Sequence, residues 1–374
     1  MDKKLFAAID VGTTTVAVSL IDENNTVIIK DGFINPQVKF GSDVISRITL
    51  SERNDNLKMM KDLIIKSIED SLRKMLGNEY TSDDLKFGII SANTVMASII
   101  LGKEITSLGK APFTCPFTEN EEITLLDKVP VKVLAGASAF IGGDSVIGAF
   151  YKFKKDKTDK KDKTELLIDM GTNGEMILSH EGRLTAISAA CGPAFENSTR
   201  STGIYGKTTL SAISGLISTG ELRRDLFLSD EFIKSGKDIT ISGVKIHLTE
   251  KIIREIQLAV AAIYASLIFL LEKSGIKATD VDRLYVAGGF GFHMSLRDAE
   301  NLGIIPSQLI DKTEISGNTS LLGSEMLIND CLKFGTDCKL GEYDIFRKSI
   351  VTFQPGGDKM YEDLFTGNMT FEKR

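Results

Sequence analysis

Two stretches of the sequence place a carboxylate directly before a glycine and a short run of hydroxyl or amide side chains. Residues Ile9 to Thr15 read IDVGTTT, and Ile168 to Gly174 read IDMGTNG. Such a tip gathers backbone N–H groups, hydroxyls and one carboxylate. The N–H groups can cradle a phosphate chain, because anions seek clustered amide dipoles. The carboxylates of Asp10 and Asp169 suit a hydrated Mg²⁺, which prefers carboxylate and water oxygens. Two such tips, facing each other, could clamp one nucleotide. A third turn, GGFGFH at Gly288 to His293, would let the backbone lie flat against a planar ring or a sugar.

Each tip needs a scaffold. Apolar residues enter the first tip at Leu5 to Ile9 and leave it at Val16 to Ile21; the second is entered at Leu166 to Ile168 and left at Glu175 to Leu178. Both copies read as β-hairpins. A repeat of this kind is evidence of duplicated architecture. In the first half a strand at Thr26 to Lys30 follows, then a polar loop from Asn35 to Ile48 and an amphipathic helix over Leu57 to Leu76 with Met60, Leu63, Ile64, Ile68 and Leu72 on one face. Next come a strand at Leu85 to Ile90, a short helix capped by Asn93 or Thr94, a strand at Val131 to Leu134, and a helix from about Ser138 to Tyr151. In the second half the turn His180 to Arg183 precedes a strand at Leu184 to Ser188. A hairpin over Asp238 to Leu248 then leads to a long helix, Glu250 to Lys273, striped by Ile252, Ile256, Ala259, Ile263, Leu267 and Leu270. The strand Arg283 to Ala287 runs into the third turn. This order predicts mixed α/β sheets with helices packed on them. The lobes are expected at 1–151 and 165–374, with a charged linker at 152–164.

At 374 residues the chain is too long for one compact core, and its 42% apolar and 26% charged residues are those of an ordinary globular protein. A net charge of −6 with 45 basic residues argues against a nucleic-acid surface. No signal-peptide pattern precedes the first strand, and the apolar run Leu258 to Leu271, broken by Tyr264 and Ser266, falls short of a membrane span. The expectation is a cytoplasmic protein with no membrane partner. The run KFKKDKTDKKDK, Lys152 to Lys163, reads as a solvated loop, with a docking patch for an acidic partner as the sharper alternative. Cys115, Cys191, Cys331 and Cys338 form no CxxC pair and read as free buried thiols; His180, His247 and His293 are isolated, so no structural transition-metal site is expected.

The three glycine turns, in this order, resemble those of the ASKHA superfamily, the actin, sugar-kinase and heat-shock chaperone ATPases. The resemblance implies an actin-like, ribonuclease H-like α/β fold of duplicated lobes with an ATP cleft between them. It makes IDVGTTT the first phosphate loop, IDMGTNG the second and GGFG the adenosine loop. Gly12, Thr13, Thr14 and Thr15 would then hold the β- and γ-phosphates from one side, and Gly171, Thr172, Asn173 and Gly174 from the other. Asp10 and Asp169 would hold Mg²⁺ through water. Gly288, Gly289 and Phe290 would meet the nucleoside. Glu255 or Arg254 on the long helix would touch ribose or adenine, a solvated helix face being the equal alternative. The family's connecting helix would begin at Gly142-Gly143-Asp144, so Asp144, or Glu175, would orient the attacking water. Glu196 in CGPAFE would support the phosphate from further out, Asn93 and Thr94 would face the cleft or simply cap a helix, and His293 would be structural.

Seven further segments, NPQVKFGSDVISRI, SANTVMASIILG, LGKAPF, LLIDMGTNGE, CGPAFE, IREIQLAVAAI and VAGGFGFH, look like the ATPase domain of the reductive activators of corrinoid proteins. In that family ATP use is coupled to passing a low-potential electron to an inactivated Co(II) corrinoid, returning it to Co(I). Such activators carry an iron–sulfur domain joined to the ATPase domain, and this sequence has neither that segment nor its cysteines. The implied partners are therefore a corrinoid or other low-potential acceptor protein and a separate iron–sulfur electron donor. In another ASKHA branch a homodimer shares one cluster through two cysteines per subunit. Cys191 stands at about the place of one, with Cys115 a weak second; a buried structural thiol is the favoured reading. Two other functions stay open: a small-molecule kinase on the same scaffold, and a non-catalytic nucleotide-gated binding module.

Overall fold

The structure is a computed structural model that describes residues 4–53, 55–155, 163–171, 173–192, 206–241, 243–291, 294–334 and 340–374. The chain divides into two compact units. One comprises Met1–Asp159 with Asn318–Thr352, the other Lys160–Gly317 with Phe353–Arg374.

The first unit is built on strands β1 (Leu5–Val11), β2 (Thr15–Asp22), β3 (Val27–Ile34), β4 (Leu85–Ala92), β5 (Glu121–Leu125) and β6 (Val129–Val133), in the order β3-β2-β1-β4-β6-β5. The first three form an antiparallel meander; β4 lies parallel to β1, and β6 parallel to β4. Central β1 is buried along its length, and this is why it reads as one apolar run, LFAAIDV, with Asp10 near its end. Asp10 pairs in register with Ser91 of β4. The predicted amphipathic helix spans Asn56–Leu76 and buries Met60, Ile64, Ile68 and Leu72 against the sheet at helical spacing.

The second unit repeats the plan. Strands β7 (Glu165–Met170), β8 (Gly174–His180) and β9 (Arg183–Ala189) form the meander. Strands β10 (Lys237–Ile241) and β11 (Val244–Leu248) form a separate hairpin. Strand β12 (Arg283–Ala287) lies parallel to β7, and β13 (Thr313–Gly317) parallel to β12. The duplication inferred from the two tips thus extends to topology: three antiparallel strands, then parallel ones, beginning from the strand that carries the aspartate.

Three expectations meet differences. Residues 318–352, expected within a lobe at 165–374, group with the first unit. Their helix Thr319–Phe334 packs on the helix Gly143–Lys155, where a Cβ on Gly323 would sit 2.6 Å from the Ile147 carbonyl oxygen. The apolar run thought too short to cross a membrane belongs to the helix Glu250–Lys273, which by length and composition alone is long and apolar enough. Its apolar face instead forms much of the second unit's core, through Ile256, Ala259, Ile263, Leu267 and Leu270. Finally, Cys331 is disulfide-bonded, whereas Cys115 and Cys191 are in the thiol form. Most of the charged run, 156–162, and Cys338 lie outside the described residues.

Candidate functional site

In the first unit, Asp10 leaves the end of β1 with both carboxylate oxygens engaged. Ser320 Oγ lies 2.8 Å from Oδ1, and Asn318 Nδ2 donates to Oδ2 at 2.7 Å. Behind Ser320 stands a short chain of hydroxyls, Ser91 at 2.7 Å and then Ser324 at 3.1 Å from Ser91. Burial pushes the Asp10 carboxyl above its ordinary value, against the two hydrogen bonds that favour its charge. Asp144, in the first turn of the helix Gly143–Lys155, is pushed up to about 7 by burial and then by the charge of Asp10. Its Oδ1 accepts from the Ser145 N–H at 2.8 Å. Two half-buried carboxylates whose charges repel favour holding a proton or a cation between them. An all-oxygen set of this kind fits Mg²⁺ better than a soft metal. Among the described residues no group of three or more His, Cys, Asp or Glu side chains is placed to hold a metal ion, so any Mg²⁺ here would keep much of its water shell.

The first tip is braced from beneath. Asn35 donates from Nδ2 to the Gly12 carbonyl at 2.8 Å and from its backbone N–H to the Thr14 carbonyl at 2.8 Å. Fully buried Arg47 donates to the Thr13 carbonyl at 2.5 Å, to the Gly41 carbonyl at 3.1 Å and to Gln37 Oε1 at 3.1 Å. Asn93 caps the helix Thr94–Leu101 by accepting from the Met96 N–H at 3.0 Å, and also donates to Thr13 Oγ1 at 3.1 Å. Asn93 thus caps its helix and also touches the first tip. With the carbonyls of residues 12–14 tied down, the tip has a fixed backbone on which to present its N–H groups. Thr15, the first residue of β2, is exposed.

In the second unit, Asp169 ends β7 opposite Glu175 of β8, and cross-strand partners point to the same side of a sheet. The tip closes with the Gly171 N–H donating to the Asn173 carbonyl at 2.9 Å. On its other side Asp169 is in register with Ala287, so β12 delivers Gly288 directly to it. Gly288 has φ of +86°, and a Cβ there would lie 2.3 Å from Asp169 Oδ1 and 2.5 Å from the Met170 carbonyl oxygen. Only glycine lets the third turn pass this close. The second and third turns, far apart in sequence, thus meet where Gly288 passes Asp169, beside Glu175, Gly171, Asn173 and Gly174.

Among the described residues Glu255 makes no bond to this group. It is exposed on its helix, 3.9 Å from Lys251, and Arg254 lies 3.6 Å from Glu250. Cys191 is buried in the apolar core near Gly174, as a structural thiol would be. Thr172, Glu196, His293 and the side chain of Phe290 lie outside the described residues. Sequence reasoning missed Arg47, Gln37 and Asn35 as parts of the site, although they stand in the quoted segment NPQVKFGSDVISRI. It also missed Asn318 and Ser320, whose only signal is a polar Asn-Thr-Ser triplet at a helix start.

Comparison with known proteins supplies the family. A model described as the RACo middle region matches residues 5–154, and one described as the C-terminal domain of RACo, the ASKHA domain, matches 163–226 and 227–374. The chain belongs to the RACo family. Its fold is the ASKHA α/β fold, and a solved structure of a reductive activator for a corrinoid, iron–sulfur protein superposes with a TM-score of 0.82 over 99% of this chain and 66% of that one, at 24% identity. Among curated relatives, the corrinoid activation enzyme RamQ of Eubacterium limosum is 25% identical over 360 residues, covering 80% of this chain and 60% of its own length. A Methanosarcina barkeri reductase of a Co(II) methylated-amine-specific corrinoid protein is 28% identical over 208 residues, 44% of this chain and 38% of that protein. This RACo-family chain therefore spans less than two thirds of the length of either curated relative. The family models also divide it between residues 154 and 163, where the charged run lies.

Proposed function

We propose that the chain binds Mg-ATP and couples its binding or hydrolysis to the reductive activation of a corrinoid protein, with the electron supplied by a separate iron–sulfur donor. The observation that carries this reading is the half-buried Asp10, held by two donors at the tip of IDVGTTT beside a second carboxylate, Asp144, in a chain of the RACo family. In this reading Asp10 and Asp169 would hold Mg²⁺ through water, and the two tips would take phosphate oxygens through N–H groups other than those of Gly12 and Gly171, which close the tips onto the Thr15 and Asn173 carbonyls. Bound Mg²⁺ would supply charge neutralisation at the phosphates. Asp144, whose carboxyl sits near neutrality in the cation-free protein, or Glu175, would align the attacking water and accept its proton. The backbone of Gly288 and Gly289 would lie against the nucleoside. Names borne by the relatives support the corrinoid acceptor, and the ASKHA domain supports the nucleotide.

The test is an anaerobic incubation with Mg-ATP, with and without a Co(II) corrinoid protein and a reduced iron–sulfur protein, following cobalt absorbance and phosphate release together. ATP-dependent loss of the Co(II) band with acceptor-stimulated phosphate release is expected. Reduction that proceeds equally well without ATP would sink the coupling. Phosphate appearing on a metabolite would favour a kinase, and tight binding without turnover a nucleotide-gated module.

A further inference from the structure

The groups that hold Asp10 come from a part of the chain that carries none of the three glycine turns. Asn318 and Ser320 flank the start of the helix Thr319–Phe334, and each donates to a different oxygen of the same carboxylate. A hydroxyl has one hydrogen to give. If Ser320 gives its hydrogen to Asp10, the 2.7 Å contact has Ser91 donating to Ser320 in place of its longer 3.4 Å bond to the Ile9 carbonyl, and Ser324, 3.1 Å away, donates to Ser91. The chain then runs Ser324, Ser91, Ser320, Asp10, each bond polarising the next. Ser91, Ser320 and Ser324 are all buried, so water does not compete for these bonds.

We infer that Asn318 and Ser320 are positioning residues that fix Asp10 for a divalent cation, with Ser91 and Ser324 setting the direction of the Ser320 hydrogen. The inference rests on the proposal that Asp10 is a cation carboxylate. With one lone pair of each oxygen taken by a donor, the carboxylate presents the others in one orientation, and groups of this kind orient metal ligands and tune their affinity. Asn318 also caps its helix, accepting from the Leu321 N–H at 2.8 Å. A substitution there must therefore separate the two roles.

The experiment is Mn²⁺ titration of the full chain, following loss of the free-ion electron paramagnetic resonance signal, alongside the Mg²⁺ dependence of ATP turnover. Ser320→Ala and Asn318→Ser are compared with wild type; serine keeps a capping oxygen but withdraws the amide donor. Both are expected to weaken cation binding by roughly 10- to 100-fold, the usual effect of removing such outer partners. Turnover at saturating Mg²⁺ should fall far less. Ser320→Thr, which keeps the hydroxyl, should bind as wild type does. Thr319→Val is the control: that buried hydroxyl has no hydrogen-bond partner among the described residues, so its loss should leave cation affinity unchanged. Asn318 is exposed and serine retains a capping oxygen, so Asn318→Ser is expected to fold even if Ser320→Ala melts. Unchanged Mn²⁺ affinity in folded Asn318→Ser and Ser320→Ala would overturn the inference while Asp10→Asn still abolishes binding. Unchanged affinity in Asp10→Asn as well would overturn the underlying reading.

Discussion

Arg47 shows how much of this site is held from below. Its guanidinium is fully buried and ties the first tip to the loop Gly41 and to Gln37, which itself donates to the Met60 carbonyl at 3.0 Å. Arg47→Ala strands several buried acceptors, each costing about 1–3 kcal/mol. We expect a loss of at least about 3 kcal/mol in urea denaturation, together with weakened nucleotide binding. Arg47→Lys should recover little, because an ammonium cannot span the same acceptors. A folded Arg47→Lys protein with unaltered ATP affinity would remove Arg47 from the account. The pH behaviour of Asp144 can also be signed. Its folded-state value of about 7 lies above the ordinary 3.8, so the folded protein binds the extra proton between them. That contribution to stability is complete below the ordinary value and is lost as pH rises through the folded one. In cation-free protein, Asp144→Asn should therefore gain in melting temperature over wild type as pH goes from about 5 to about 8. Parallel melting curves across that range would show that Asp144 is not under this strain.

At the scale of elements, the close passage of Gly288 over Asp169 makes a sharp demand. Gly288→Ala introduces a Cβ where φ is +86° and a carboxylate oxygen stands 2.3 Å away, so the turn must move. Nucleotide binding should fall by at least about tenfold, the equivalent of roughly 1.4 kcal/mol, while the circular dichroism spectrum is retained. Wild-type affinity in this variant would dissociate the third turn from the site. The helix Glu250–Lys273 supplies a stability test of the core beneath the second tip, where Ile263 lies beside Gly174. Ile263→Ala, at a fully buried position, should cost about 2–5 kcal/mol by calorimetry or denaturant titration. The tips and the long amphipathic helices were legible in sequence because each is a local pattern: an Asp-Gly turn between apolar runs, or apolar residues every three to four positions. The helix Thr319–Phe334 was not, since its polar first residues serve a carboxylate more than three hundred positions away.

For the molecule as a whole, two cores of repeated topology lie in one chain, and the family match covers nearly all of it. A ligand that binds only the folded chain stabilises it by mass action. Mg-ATP at about a hundred times its dissociation constant should add about 2.7 kcal/mol, read as a rise in melting temperature that chelation of Mg²⁺ reverses. A melting temperature indifferent to Mg-ATP would leave the ASKHA fold but remove the nucleotide from the proposed function.

By itself the sequence determined the duplication, the three glycine turns, the identity of Asp10 and Asp169, and the family, because these depend on residue type and on spacing along a few consecutive positions. Only the tertiary structure decided that Asn318 and Ser320 hold Asp10, that Arg47 braces the first tip, that Gly288 lies against Asp169, and that residues 318–352 pack with the first unit. Those facts depend on hydrogen bonds and close approaches between distant segments. Such contacts leave no period in the sequence, and they exist only once the core has brought the segments together.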